Sequence, residues 1–600
     1  MSKRIALNLL PLPRSLKILR GTFTLPARKP LAAIKVVRTN SAPNHPEGYA
    51  LTISRNGIEI SFRETGGLRA ATATLRQLLR QCGRRLPCLA IRDWPDFPRR
   101  GVMLDISRGR VPKLETLLDL AGHLADFKIN ELQLYTEHTF AYRNYKSVWQ
   151  SWGALTAKEI QILDARCHKL GIDLVPNQNS FGHLRYFLEH PSLKKLAEVS
   201  GPYKDGGDAA TGDQEFIRRP TTLAPNHPDT IPFLRGLYDE LLPNFSSDFF
   251  NTGCDETVDL GRGQSKKLCE TKGKGRVYLD FLKKIHREVS ARGKQMMFWG
   301  DIILKYPELI RELPENAVAL NWGYEANHPF AKEAARFAKA KIPFYVCPGT
   351  STWQTLIGRH DNALANLRAA AKAGHRHGAT GYLITDWGDG GHPQPLTVSW
   401  PMFLAGAAFA WNAKDFDGQK LIPVLSRDVF EDSTGNIANA AFKLGFVHKK
   451  LGVVAPNETP LGTVIAAPKP GELFCRNGLK WFSKIPPAKI RAAMKEIEKQ
   501  RAILSHTKPK SDSGKIPAHE LDLAARMASQ SCKFMLWQQA VAAGKKSEAK
   551  AMARNHIREL QKLEKDFNEF WTLRNKATAK HCSPFLQWRI EDYSRRFKKG

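Results

Sequence analysis

The stretch GVMLDISRGRVPKLETLLDLAGHLADFKINELQLY, residues 101–135, decides the fold. It opens on a short apolar run, GVMLDI (101–106). Leu114, Leu117, Leu118, Ala121, Leu124 and Ala125 then recur at the i, i+3, i+4, i+7 spacing that lays one apolar stripe along a helix. ELQLY (131–135) is a second strand-like run, so the stretch reads as a strand–helix–strand unit. The unit recurs. IDLVP (172–176), FFNTG (249–253), QMMFW (295–299), AVALNW (317–322), IPFYV (342–346) and GYLITDW (381–387) complete a set of eight runs, with helical patterns between them such as 330–340 and 362–377. Eight such runs predict an α/β chain built on a (β/α)8 TIM barrel. A doubly wound open sheet is the alternative, but no glycine-rich phosphate loop supports it, and GGLRA near Gly66 is too weak to serve as one.

Outward from the barrel, assigned to residues 96–415, lie two flanks. Residues 1–95 read as a small N-terminal α/β domain, with strands near 33–38 and 51–54 and a helix over 67–81. The apolar piece 5–12 follows a basic start, as in a signal peptide. It is short, carries Asn8 and Pro11, and lacks a small-residue cleavage site, so it is expected to be the first strand of the mature protein. RDWPDFPRR (92–100) is a proline-rich junction. Residues 416–600 read as a helical C-terminal region. A helix follows Pro487, KPKSDSGKIP (508–517) forms a loop, and two long amphipathic helices run to about Arg574.

The chain has 600 residues, too many for one core. No apolar run approaches the ~18–20 residues that span a bilayer, so no membrane partner is expected. Nine cysteines are scattered without a C-x-x-C pair, which argues against a disulfide framework and a zinc site and favours a cytoplasmic location. The net charge of +33 is uneven. Residues 1–99 hold 18 Lys+Arg against 5 Asp+Glu, residues 461–600 hold 29 against 13, and the middle is nearly balanced. Solvated helix faces account for this. A polyanion contact through the basic flanks is the sharper reading. No nucleic-acid motif is present, so nucleic acid is not an expected partner.

Active sites of such barrels lie at the C-terminal ends of the strands. Strand one is followed by Asp105, Ser107 and Arg108, strand two by Glu137 and His138, and strand three by Asn177 and His183. Strand four leads into Asp255 and Glu256, strand five into Trp299 and Asp301, and strand six into Trp322 and Glu325. Trp353 follows strand seven; Asp386, Trp387, Asp389 and His392 end strand eight. No H-E-x-x-H or G-x-S-x-G is present, and His375 and His377 end a helix on the opposite face, so metal hydrolysis and serine acyl transfer lack support. Carboxylates with indoles suit sugars: acids bind hydroxyls and move protons, and tryptophan faces pack on pyranose rings. Adjacent strand residues point to opposite faces, so Asp255 and Glu256 reach one ligand only if the chain bends just after Gly253.

Four segments carry a family resemblance. RRGVMLDISRGR (99–110), VPNQNSFGH (175–183), NTGCDET (251–257) and TDWGDGGH (385–392) resemble, in order and spacing, the signatures of glycoside hydrolase family 20, the β-N-acetylhexosaminidases, and especially its hexosaminidase D-like and bacterial branch. The leader also resembles the small domain that precedes the family's barrel. The resemblance implies an exo-acting enzyme that removes terminal β-linked GlcNAc or GalNAc with retention. The substrate's own acetamide oxygen would act as nucleophile, with no metal or organic cofactor. It implies Glu256 as general acid/base and Asp255 as the carboxylate that orients the acetamide and stabilises the oxazolinium. Arg100 matches the arginine on the sugar's 3- and 4-hydroxyls, although the strand reading puts it at the start of strand one, so either that boundary is off or the strand is irregular. Asp389 matches an acidic hydroxyl ligand, His183 the histidine that supports the acid, and Trp299, Trp322 and Trp387 the aromatic walls. Trp353 falls where the family often has a tyrosine on the acetamide oxygen. Glu137 replaces the family's Asp after strand two, and Cys254 stands where Gly or Ala is common. Rivals are a hydrolase of other linkage specificity, a sugar-binding barrel without catalysis, and a polyanion-binding protein.

Overall fold

A computed structural model describes residues 7–206, 215–466, 482–510 and 512–595. Eight parallel strands form one sheet: Arg99–Asp105, Glu131–Tyr135, Asp173–Val175, Phe249–Asn251, Gln295–Trp299, Val318–Trp322, Phe344–Cys347 and Gly381–Asp386. These are barrel strands one to eight. Strand eight pairs with strand one (Leu383 beside Gly101), and Asn177 bridges Asn251 to close strand three on strand four. The sheet is therefore a barrel, and all eight expected runs lie in it. The helices Leu114–Asp126, Phe330–Ala340 and His360–His377 match the periodic stretches. The first buries Leu117, Leu120, Ala121 and Leu124 on its inner stripe. Each strand faces the barrel interior on one side and the surrounding helices on the other, which is why the strands read as near-continuous apolar runs.

The N-terminal module is a five-stranded mixed sheet with the helix Thr65–Cys82 on one face. The strands Ile34–Arg38 and Tyr49–Ser54 and that helix fall where the sequence placed them. Gly57–Phe62 and Arg85–Asp93 join them in the sheet. The expected strand over 5–12 is corrected: Ser15–Thr24 is the first strand, at one edge of the sheet, residues 7–14 precede it as coil, and residues 5 and 6 lie outside the described residues. Here Gln77 explains the local choice. Its side chain accepts from the Leu10 N–H at 3.1 Å and donates to the Leu10 carbonyl at 2.7 Å, which satisfies this backbone without a neighbouring strand.

The helix Trp400–Trp411 is buried on every side. The region after it packs against the barrel through one continuous apolar core, which joins Leu104 and Ile384 on the barrel to Leu521, Met527 and Leu586. The long helices Asp512–Ala542 and Lys546–Arg574 are present. The expected loop over 508–517 ends early, because the helix already starts at Asp512 and carries Pro517 in its second turn. A proline there has no N–H to give to the residue-513 carbonyl, so the start of this helix carries one intrahelical hydrogen bond fewer. Among the described residues no helix is long and apolar enough to cross a membrane.

Candidate active site

The bend that the adjacent acids require is present. Strand four stops at Asn251, and Gly253, Cys254 and Glu256 have φ of 69°, 70° and 42°. Left-handed backbone at a non-glycine residue is strained and persists only where neighbours impose it. At Gly253 a Cβ would lie 2.0 Å from Asn179 Oδ1, so the turn requires glycine there. The Gly253 carbonyl accepts from Trp299 N at 2.9 Å and the Cys254 carbonyl from the Tyr278 hydroxyl at 2.9 Å. The kink turns both carboxylates into one cavity of about 570 Å³ at the C-terminal end of the barrel.

His183 organises the acids. Its Nε2 lies 3.2 Å from Asp255 Oδ2 and 3.5 Å from Glu256 Oε2, and its Nδ1 lies 3.6 Å from Glu137 Oε1. Burial alone would lower the imidazole's pKa, but Asp255, Glu137 and Glu256 outweigh it and push it up to about 10. His183 is therefore a cation at neutral pH. The Glu256 side chain faces the open cavity and is 54% exposed. Desolvation by the cavity walls raises its pKa, His183 opposes the rise, and Asp255 and Asp389 add to it. Behind it Asp301 accepts from the Glu256 N–H at 3.3 Å, and burial, with Asp255 and Glu256 adding to it, pushes Asp301 up to about 7. A raised carboxyl held beside an anion is what an acid working near neutral pH needs.

A second group faces these acids. Arg108 donates to Asp389 Oδ1 at 2.7 Å and to Glu137 Oε1 at 2.8 Å, and the Tyr135 hydroxyl donates to the same Glu137 oxygen at 3.0 Å. Asp105 fixes the rim beneath: it accepts from Ser107 N and Gly388 N, both at 2.9 Å, and burial raises its pKa to about 7. Aromatic rings form the floor. Trp387 meets Tyr135 edge-on at 4.6 Å and donates from Nε1 to the Tyr324 hydroxyl at 2.7 Å, while Trp322 stacks on Tyr324 at 5.1 Å. The Trp322 and Trp299 indole N–H groups have no partner among the described residues.

Most of the expected residues meet here: Glu137, His183, Asp255, Glu256, Trp322, Trp387 and Asp389 line the cavity. Three do not. Arg100 is corrected outright: it sits at the opposite end of strand one, 1% exposed, with both guanidinium Nη atoms 2.6 Å from Glu47. Arg108 occupies the cavity instead. Trp299 is fully buried beneath Trp387, ring centres 5.7 Å apart. Trp353 is corrected too: it packs edge-on behind Tyr324 at 5.0 Å, and Tyr324 lines the cavity in its place. Strand direction already places Arg108 past the C-terminal end, at the rim; only the ligand role went to Arg100 through the resemblance. Nothing local marked Tyr324. Four lining residues arrive from far away: Pro456, Asn457, Glu458 and His581, all from the C-terminal region. Among the described residues no cluster of three or more His, Cys, Asp or Glu could hold a metal.

Two family models match in tandem: glycosyl hydrolase family 20, domain 2, over residues 27–94, and the catalytic domain of the same family over residues 97–353. The lacto-N-biosidase of Bifidobacterium bifidum is 26% identical over 43% of this chain and 22% of its own length. The beta-hexosaminidase of Vibrio furnissii is 28% identical over 48% of this chain and 51% of its own. The chain thus spans about half, or less, of these relatives. In structure it resembles the chitobiase of Flavobacterium johnsoniae, with a TM-score of 0.57 at 17% identity, over 92% of this chain and 96% of that one.

Proposed function

We propose, for a chain that belongs to glycosyl hydrolase family 20, that the acid-lined cavity removes terminal β-linked N-acetylhexosamine from glycans with retention of configuration. The observation that carries this reading is the strained turn after Gly253, which turns Asp255 and Glu256 toward one cavity instead of opposite faces.

The chemistry follows from that pair. The substrate's acetamide oxygen attacks the anomeric carbon as the glycosidic bond breaks. Glu256 gives its proton to the departing oxygen. Asp255, held by His183, accepts from the acetamide N–H and stabilises the cationic oxazolinium. Glu256, now ionised, takes a proton from water, which opens the ring at the same carbon and restores the acid. Both displacements occur at one centre, so configuration is retained. Arg108, Asp389 and Glu137 offer donors and acceptors for ring hydroxyls, and Trp387, Trp322 and Tyr324 offer apolar faces for the sugar and its methyl group.

Nitrophenol release from the β-GlcNAc, β-GalNAc and β-glucose aryl glycosides tests this. Hydrolysis of an acetamido glycoside but not the glucoside is expected. Cleavage of the glucoside at an equal rate would refute acetamide participation. Binding of N-acetylhexosamine without any turnover would make the barrel a sugar-binding protein.

A further inference from the structure

The C-terminal region does more than pack on the barrel. Segment 574–582 returns across the rim and is fastened along its length. The Arg574 carbonyl accepts from Lys113 N at 2.8 Å and from the Thr116 hydroxyl at 2.9 Å. Lys576 N donates to the Val111 carbonyl at 2.7 Å, and its ammonium reaches both Glu159 oxygens at 2.8 Å and the Ala154 carbonyl at 2.8 Å. The rim is shaped to receive it: a Cβ on Gly109, whose φ is 99°, would lie 2.8 Å from Cys582 Sγ.

At the end of this strap the His581 ring stacks on Trp152, with centroids 3.7 Å apart and planes 16° from parallel. Tyr186 lies against the same indole at 4.7 Å, and His138, fully buried, backs both rings. His581, Trp152 and Tyr186 all line the cavity that holds Glu256. The imidazole Nε2 lies 3.1 Å from the Ser151 carbonyl, which can only accept, so Nε2 carries the proton and Nδ1 remains an acceptor. Burial lowers the His581 pKa against that hydrogen bond, which favours the neutral ring.

From this geometry we infer that the strap completes a second sugar subsite: the aromatic group of Trp152, Tyr186 and His581 receives the leaving pyranose ring of a β-linked oligosaccharide. The inference rests on the proposed hydrolase reading. The rings differ from the groups facing the reacting sugar, whose hydroxyl ligands are Arg108, Asp389 and Glu137. Flat aromatic faces, with the Arg185 guanidinium over the Tyr186 ring at 5.4 Å, are the composition that sugar rings select. It also assigns the C-terminal region a role in substrate choice, although it lies outside the matched catalytic domain.

The test compares kcat/KM for the β-1,4-linked GlcNAc disaccharide with that for methyl β-N-acetylglucosaminide. Both leaving groups are alcohols, but only one carries a ring. Trp152→Ala and His581→Ala are each expected to lower the disaccharide-to-methyl ratio about tenfold through KM, and Trp152→Phe to restore most of it. An unchanged ratio in the folded His581→Ala and Trp152→Ala proteins would overturn the subsite. Wild-type protein that cleaves neither compound, nor the aryl glycosides, would remove the hydrolase reading itself. If Trp152→Ala fails to fold, His581→Ala decides alone.

Discussion

Arg100 and Arg108 sit at opposite ends of one strand and have the same chemistry, yet they do opposite work. Arg100 is 1% exposed, grips Glu47 with two nitrogens, and donates to the Lys128 and Phe97 carbonyls at 2.9 and 2.7 Å. It ties the N-terminal sheet to the barrel, and no group of it is left for a ligand. Lys128 reinforces the joint through Asp93 at 2.9 Å, and Asp93 also accepts from Trp411 Nε1 at 2.9 Å. Arg108 shares its donors between Glu137 and Asp389, and its side chain is 21% exposed. Its pairs open onto the cavity, where sugar hydroxyls can compete for them. The difference is how the donors are spent: every Arg100 nitrogen is committed to Glu47 or to a backbone carbonyl, whereas the Arg108 pairs face the acid-lined cavity.

The comparison can be broken in several ways, from the largest expected effect down. Glu256→Gln should cut kcat on the methyl glycoside by roughly a thousandfold or more, and on a nitrophenyl glycoside by much less, since a good leaving group needs no proton. Equal losses would remove Glu256 as the acid. In the wild type, kcat/KM should fall as pH rises through the raised Glu256 pKa, because the protonated form does the work.

Arg108→Ala should lower kcat/KM about a hundredfold while the folded protein melts near the wild-type temperature. Arg100→Ala should do the reverse. Deleting one partner of an ion pair whose arginine is buried costs about 3–5 kcal/mol of stability, and the surviving folded protein should turn over as before. Denaturant melts paired with kinetics separate the two. Similar profiles for both variants would erase the distinction drawn between them.

The smallest effect concerns Asp301. Its folded pKa of about 7 lies above the ordinary 3.8, so its neutral form is favoured in the folded protein. The stability it contributes is complete below about pH 4 and is lost as pH rises through 7. Asp301→Asn cannot ionise. Its stability relative to wild type should therefore grow between pH 5 and pH 8, by on the order of 1–3 kcal/mol, as read from urea midpoints. A constant difference would show that Asp301 does not titrate in this window.

The barrel was legible because its signals are local. Apolar runs and helical stripes alternate in the sequence as they do in space, and all eight strands were found from them. The paired acids were legible too, with the need for a bend beside them, because adjacent residues in a strand cannot share a face. Where the reading erred, a distant partner was responsible. Within the coil at 7–14 Gln77 satisfies the Leu10 backbone, and Trp353 lies packed edge-on against Tyr324. The resemblance offered Arg100 as a sugar ligand, but strand direction already put it at the far end, and Glu47 from another module claims it there.

The sequence by itself determined the elements, their order, and which strand end carries each acid, since periodicity and spacing act between near neighbours. Only the tertiary structure decided which arginine is free to meet a ligand, and that His581 comes to rest on Trp152, far away along the chain. Burial and closure are sums over contacts from many segments, and no local stretch contains that sum.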